Sequence, residues 1–507
     1  MECNQQQTMV AATKTLYENF IEEKCESDLL IPDYFPAAEK IIQCNAVPAL
    51  IKKEIEGDRL NLEGVCRFTV IYQGEEEGGI KSLSDTVSFS ESFPLKETGN
   101  DPWVQSIVRV AGTSCRLLNS RKISVKATVS VALKVKGQEM TDTIEEMDCN
   151  EAEALFAPAT VYTVLEHTGD TTKVQGEIEV HTDIQDVLKT DGSVCIKDIK
   201  LLPGKAIVKG VADLFVLFTP ESDPSKVEST STAIPFSQVL ELQHTDENGR
   251  MEAISSIQNL RTDVETDDSG KNRLISITAT LMTEGELYDN REHRLLMDAY
   301  SNRYPIRLQR APLTMEEMTE QGEINETVRH EIPVDGGEVE VIQALGTPII
   351  QKITGQDKTL SVEGILDVSM FVREGENYRG IDKVLPFTLK KDLQRLSGRM
   401  RCEVRPCVLG MDWSMSGENI ELKTEIACSI TVFSKETVEV ISDVELDVEH
   451  PLEQMAEKPL VIYYGEKGER LWDIARKYAT SVAAIKSIND FDRDVLDGKQ
   501  LLLISAI

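Results

Sequence analysis

The sequence is short of positive charge. Its 54 Lys and Arg residues face 87 Asp and Glu residues, a formal net charge of −33. Such a surface repels nucleic-acid phosphates and anionic lipid headgroups, and no Lys/Arg-rich run reverses the sign locally. Both observations count against nucleic-acid binding and against a polybasic membrane anchor. Long apolar runs are missing too: with no stretch of about 18 apolar residues, no transmembrane segment is expected. The beginning, Met1-Glu2-Cys3-Asn4, has neither the basic nor the apolar part of a signal peptide, which predicts a protein kept in the cytosol. Histidines number six and are dispersed: His167, His181, His244, His293, His330 and His450.

Catalytic signatures are equally scarce. There is no Gly-x-x-x-x-Gly-Lys-Ser/Thr phosphate loop, no His-Glu-x-x-His zinc helix and no Gly-x-Ser-x-Gly elbow. Cys402 and Cys407 are close in sequence, but no second Cys/His pair completes a zinc site. The chain is therefore expected not to be an enzyme and to need no metal or cofactor. The ten cysteines (3, 25, 44, 66, 115, 149, 195, 402, 407 and 428) form no tight framework; Cys66 and Cys428 fall at inward strand positions. They read as small apolar core residues in a reducing compartment. The acidic stretch Gly74–Gly79 reads as a solvated hairpin loop, and Trp103 and Trp413 as packing residues.

What is present is a repeat. Single cores stop growing near roughly 250–300 residues, so 507 residues imply several domains. One strand signature occurs three times: Leu62-Glu63-Gly64-Val65, Val208-Lys209-Gly210-Val211 and Val362-Glu363-Gly364-Ile365, with the glycines 146 and then 154 residues apart. Each copy opens a long period-2 run, such as Leu60, Leu62, Gly64, Cys66, Phe68, Val70 and Tyr72, as half-buried antiparallel strands require. The inward glycine marks a bulge or a close approach. A following strand carries Val87-Ser88-Phe89, Ile234-Pro235-Phe236 or Leu385-Pro386-Phe387, two of them with a proline suited to an edge or bulge. A closing strand follows the turns Asn119–Arg121, Asp268–Gly270 and Ser416–Asn419, reading as a hairpin.

The expected fold is mostly β: three tandem antiparallel units at 28–150, 151–300 and 301–450, as sandwiches or barrels. A linker at 451–459 then leads to a small α+β (βααβ) domain at 460–507. Residues 1–27 are expected to hold a short amphipathic helix, because Met9, Leu16 and Phe20, with Val10, Tyr17 and Ile21, sit at helical spacing. Tyr162–Thr172 and Arg310–Arg329 look like connectors.

At the C-terminal end, Leu471, Ile474, Ala475 and Tyr478 share one helix face, and Ser481 is placed to cap a second helix through Ile485 that ends at Asn489. The run Gly468-x-x-Leu471-Trp472-x-Ile474-Ala475-x-x-Tyr478, with Ile485, Asn489, Gly498 and Leu501, resembles LysM. That resemblance implies a core of Trp472, Ile474, Ala475, Tyr478 and Ile485. It also implies a shallow groove between the loop before the first helix (Gly468, Glu469, Arg470, Leu471) and the loop after the second (Asn489, Asp490, Phe491). LysM grooves take N-acetylglucosamine polymers such as peptidoglycan. The family usually has Asp-Thr or Asp-Ser where Glu469-Arg470 stands, so Arg470 loses a helix cap and brings a long cation to the groove. Gly465 replaces a usual apolar residue, and Ser505 a usual proline. These departures fit a module turned to protein recognition.

The repeat units, through Leu29-Leu30-Ile31-Pro32-Asp33, Leu62-Glu63-Gly64-Val65 and Tyr72, resemble the SPOCS domain of clostridial spore-coat morphogenesis proteins. The order of parts resembles the SipL-type family. That likeness implies a coat-assembly scaffold of the mother-cell cytosol, at the forespore surface. Its LysM end would engage the ATPase of the coat's basement layer, with cell-wall or cortex peptidoglycan as the alternative partner.

Overall fold

The computed structural model describes residues 4–75, 78–97, 99–244, 249–334, 339–356, 358–394, 400–452 and 460–505. The acidic loop is thus described only in part, and most of the expected linker lies outside the described residues, as does Cys3.

Each repeat unit is two three-stranded antiparallel sheets that share one core. In the first unit the larger sheet holds β1 (Asn4–Leu30), β6 (Lys122–Asp148) and β5 (Asn100–Asn119), in that order. The smaller sheet holds β2 (Ala38–Glu56), β3 (Arg59–Gly74) and β4 (Ile80–Pro94). The second unit repeats this plan with β11 (Arg250–Thr266), β12 (Asn272–Tyr300) and β7 (Glu153–Glu179) over β10 (Glu228–Glu241), β9 (Lys205–Pro220) and β8 (Ile184–Leu202). The third uses β13 (Ile306–Pro333), β18 (Asn419–Leu446) and β17 (Met400–Ser416) over β14 (Val339–Gln356), β15 (Thr359–Glu374) and β16 (Asn377–Asp392). The alternating residues named from sequence form the cores: Leu60, Leu62, Cys66, Phe68, Val70 and Tyr72 of β3 meet Ile123, Val125, Val129, Val131, Leu133 and Val135 of β6.

The inward glycines make room for an aromatic ring. Gly64 pairs with Phe89, Gly210 with Phe236 and Gly364 with Phe387. A Cβ on Gly64 would lie 2.3 Å from the Phe89 ring, and one on Gly364 would lie 2.5 Å from the Phe387 ring and 2.6 Å from the Ile349 carbonyl oxygen. Lying across a residue with no Cβ, each ring regains the contact that glycine alone cannot give a strand.

Residues 4–30 are not a helix. They form β1, paired with β6 along its whole length. The helical spacing arose from a bulge between Thr15 and Tyr17. Before it, Val10 and Ala12 point inward; after it the phase flips to Tyr17, Ile21, Cys25 and Leu29. Met9 and Phe20, read as part of a helix face, are 61% and 50% exposed. The two presumed connectors are likewise interior to β7 and β13, each with a bulge at the matching place, beside Val164 and between Met318 and Glu320. An extra residue breaks period-2 alternation locally, so a bulged strand loses its signature there.

Beyond these bulges the larger sheets narrow to two-stranded ribbons, and the three ribbons pack together. Ile144, Leu296 and Ile441, one from each unit, share a buried cluster, as do Val10, Val161 and Leu313. The smaller sheets meet likewise through Ile42, Leu188 and Ile342, and through Ile71, Leu217 and Phe371. Equivalent residues from all three units therefore converge twice, and the units close around a pseudo-threefold axis.

A charged network is buried between them. Lys136 of the first unit, 3% exposed in its side chain, reaches Glu286 of the second (3.3 Å) and Glu403 of the third (3.4 Å). Trp103 donates its indole N–H to Glu286 (2.6 Å). Arg405 pairs with Glu252 and Glu403, and Arg401 with Glu403 and Glu316. Burial opposes ionisation of Glu403, but Lys136, Arg401 and Arg405 outweigh it and hold its carboxyl at about 2. Among the described residues, eight cysteines, Cys66 and Cys428 among them, are free. Cys149 departs from the expectation of free thiols: it is disulfide-bonded.

Candidate functional site

The C-terminal residues form a two-stranded sheet, β19 (Val461–Gly465) and β20 (Gln500–Ile504), covering helices α1 (Leu471–Lys477) and α2 (Val482–Asn489). The core is Leu471, Trp472, Ile474, Ala475, Ile485, Leu496, Leu502 and Ile504, with Tyr478 and Phe491 packed at its edge. Ser481 caps α2 as its sequence position implied, its hydroxyl accepting from the Ala484 N–H (3.0 Å). Gly465 has its own reason: a Cβ there would fall 2.2 Å from Leu496 Cδ1.

The loops before α1 and after α2, expected to form a groove, lie side by side and are zipped by main-chain bonds. Gly468 N–H donates to Leu496 O (2.8 Å), Leu471 N–H to Asp494 O (2.8 Å) and Leu496 N–H to Glu469 O (2.9 Å). Gly468, at φ +92°, takes a turn that disfavours any side chain. Not every expected groove residue offers its side chain outward. Leu471 is fully buried. The Asn489 amide donates to Ile485 O and Leu503 O (2.7 Å each) and accepts from Leu503 N–H (2.6 Å), tying the end of α2 to β20. Asp490 ends α2 in the left-handed region at φ 54°. Glu469 accepts from the Glu466 N–H (2.8 Å) and the Tyr463 hydroxyl (2.8 Å); these bonds, that of Glu466 foremost, hold its carboxyl below the usual range.

Asp490 stays exposed, and so does Arg470. Arg470 occupies the N-cap position of α1 without making a side-chain cap. Its guanidinium instead forms a two-point pair with Asp473 in the first turn (2.8 and 2.9 Å), and its side chain is 57% exposed. Asp473 thus stands at the positive helix end where a hydroxyl cap is usual, and also fixes the direction of the cation.

The module is docked on the second unit, a feature with no local sequence signal. Trp472 donates its indole N–H to Asp298 (3.0 Å), Arg476 pairs with the same carboxylate (2.6 Å), and the Tyr300 hydroxyl donates to Thr480 O (2.7 Å). The Tyr300 and Trp472 rings meet edge to face at 4.8 Å. Burial raises the Tyr300 phenol well above its ordinary range, so it stays a donor. Between module and body lies a cavity of about 280 Å³, lined by Arg470, Trp472, Asp494 and Val495 on one side and Glu153–Leu155 on the other. The side of the module that carries Arg470 therefore faces the body.

The SipL, SPOCS domain family matches residues 37–118 and 183–265, and the LysM domain family matches residues 466–505. The chain carries the domains of the SPOCS/LysM, SipL-type family that its sequence resembles. The third unit lies outside the matched residues yet has the same strand order as the other two. No curated protein and no solved structure matches the chain. These families are binding and scaffold domains, not catalytic ones, and they indicate a sporulation-associated adaptor with a module of the peptidoglycan-binding type. Among the described residues, no helix is long and apolar enough to cross a membrane, and no group of His, Cys, Asp and Glu has the arrangement of a metal site.

Proposed function

We propose that the chain is a non-enzymatic scaffold of the spore coat, acting in the mother-cell cytosol at the forespore surface, whose LysM module recruits it to the basement-layer ATPase. The observation that carries this reading is Arg470. A neutral sugar carries no charge for a cation to pair with, whereas here a half-exposed guanidinium is held in a fixed direction by Asp473. A planar, directed cation suits a carboxylate on a protein surface. The body gives a second support: Glu153–Leu155 stand beside the groove wall, where a long glycan strand would have to pass. The three closed units then supply a rigid platform that carries the module.

The alternative is binding of peptidoglycan or N-acetylglucosamine oligomers, favoured by the LysM match and by the intact, zipped groove loops. One experiment separates the two. The tagged full chain is incubated with sporulating-cell lysate and, in parallel, sedimented with insoluble peptidoglycan. Recovery of the coat ATPase, with no retention on peptidoglycan, is expected. Retention on peptidoglycan with no ATPase recovered overturns the proposal.

A further inference from the structure

Strand β17 of the third unit packs against β8 of the second, and each contributes a cysteine to that seam. The Cys195 and Cys407 thiols are close enough across this seam for each to influence the ionisation of the other, although their residues are far apart in the chain. Both feel the same neighbours, Lys197 and Asp213. Each thiol donates to the main-chain oxygen of the next residue, Cys195 Sγ to Ile196 O at 3.6 Å and Cys407 Sγ to Val408 O at 3.5 Å. Both cysteines are free. Among the described residues, the other thiol contacts lie inside the first unit, between Cys44 and Cys115 and between Cys25 and Cys66. At the place in the second unit that matches Cys44–Cys115, Thr190 and Thr262 hydroxyls stand 2.7 Å apart. Those positions join the two sheets of one unit, whereas Cys195–Cys407 joins two units.

We propose that Cys195 and Cys407 form a reversible cross-linking site, at which a small-molecule disulfide oxidises the pair and fastens the third unit covalently to the second. The chemistry is two thiol–disulfide exchanges. Cys195 Sγ, as thiolate, attacks one sulfur of the small disulfide, and the first small thiolate leaves. Cys407 gives up its proton to that thiolate. Its sulfur then attacks Cys195 Sγ, forming the protein disulfide and expelling the second small thiolate, which takes a proton from solvent. Two protein thiols are oxidised and one small disulfide is reduced to two thiols. The Cys407 S–H, as the first cause, and Lys197 both favour the Cys195 thiolate, which holds that thiol below its ordinary range at about 7. The residue fit to attack at neutral pH is thereby paired with its resolving partner.

The test uses the full chain with oxidised glutathione, followed by quenching and peptide mass mapping under non-reducing conditions. A peptide pair linked through Cys195 and Cys407 is expected, with two thiols lost and both regained on adding dithiothreitol. In Cys407→Ser, no link should form and Cys195 should be trapped as a mixed disulfide with glutathione. A circular-dichroism spectrum matching wild type shows that this variant folds. Separate mixed disulfides at both cysteines in the wild-type chain overturn the proposal. So does a link that forms only in denaturant, or oxidation of Cys44 and Cys115 while Cys195 and Cys407 stay reduced.

Discussion

Trp472 of the LysM module donates its indole N–H to Asp298 of the second repeat unit at 3.0 Å. The core tryptophan of the small domain is thus also its anchor to the large one, and Asp298 serves Arg476 and Arg310 as well. Replacing Asp298 with Ala should leave both parts folded and free the module from the body. The lost bonds are partly exposed, so the cost is about 1–2 kcal/mol. Small-angle scattering should show a larger radius of gyration and limited proteolysis should release the module faster; unchanged values would show that Tyr300 alone holds the contact.

Trp472→Ala reaches further, since it removes a buried ring from the core and the anchor together. Such truncations cost about 3–5 kcal/mol, a large share of what a module of this size can have. Thermal unfolding should show an early transition that the wild-type chain lacks.

Gly64 offers a clean coupling test. All three nearest atoms to a Cβ at this position belong to the Phe89 ring. Gly64→Ala should destabilise by about 1–3 kcal/mol through overpacking. In a Phe89→Ala background most of that penalty should vanish, a coupling that a double-mutant cycle reads directly. Gly364→Ala should not be rescued by Phe387→Ala to the same degree, because the Ile349 carbonyl also stands in the way.

Glu403 sets an acid limit. Its carboxyl is held at about 2, below the roughly 4.3 of an unfolded chain. A depressed folded value gives stability that is present above the unfolded value and lost as pH falls through the folded one. Stability should therefore decline between about pH 4.5 and 2, and Glu403→Gln should flatten that decline while destabilising at pH 7, since Lys136, Arg401 and Arg405 each lose one of their two buried carboxylate partners. Urea titrations at stepped pH measure both effects.

Much of this could be read along the chain. Regular alternation placed β3, β9, β15 and the closing strands, and helical spacing placed α1 and α2, because in each case one element buries one face. Misreadings fell where a strand crosses between environments. At Thr15–Tyr17 a bulge swaps which side is buried, so Val10 and Tyr17 fall on a helix-like stripe while both belong to β1. In the LysM module, sequence named candidate groove residues but not what each side chain does in the fold. Leu471 and Asn489 are spent on the core and on β20, and only the folded chain shows this. Asp298, Tyr300 and Glu153–Leu155 carry no local mark at all. Their role comes from the second unit meeting the module in space, and no window of sequence contains both.

Central to the account is a directed Arg470 that recognises protein. The most direct measurement is the affinity of the purified full chain for the purified basement-layer ATPase, compared with that of Arg470→Ala. An exposed side chain paired with Asp473 at the surface should leave the unfolding midpoint within a degree or two of wild type when replaced. The account predicts wild-type binding and a loss of roughly tenfold or more in the variant, about 1.4 kcal/mol or greater. Equal affinity of the two proteins for the ATPase would contradict it.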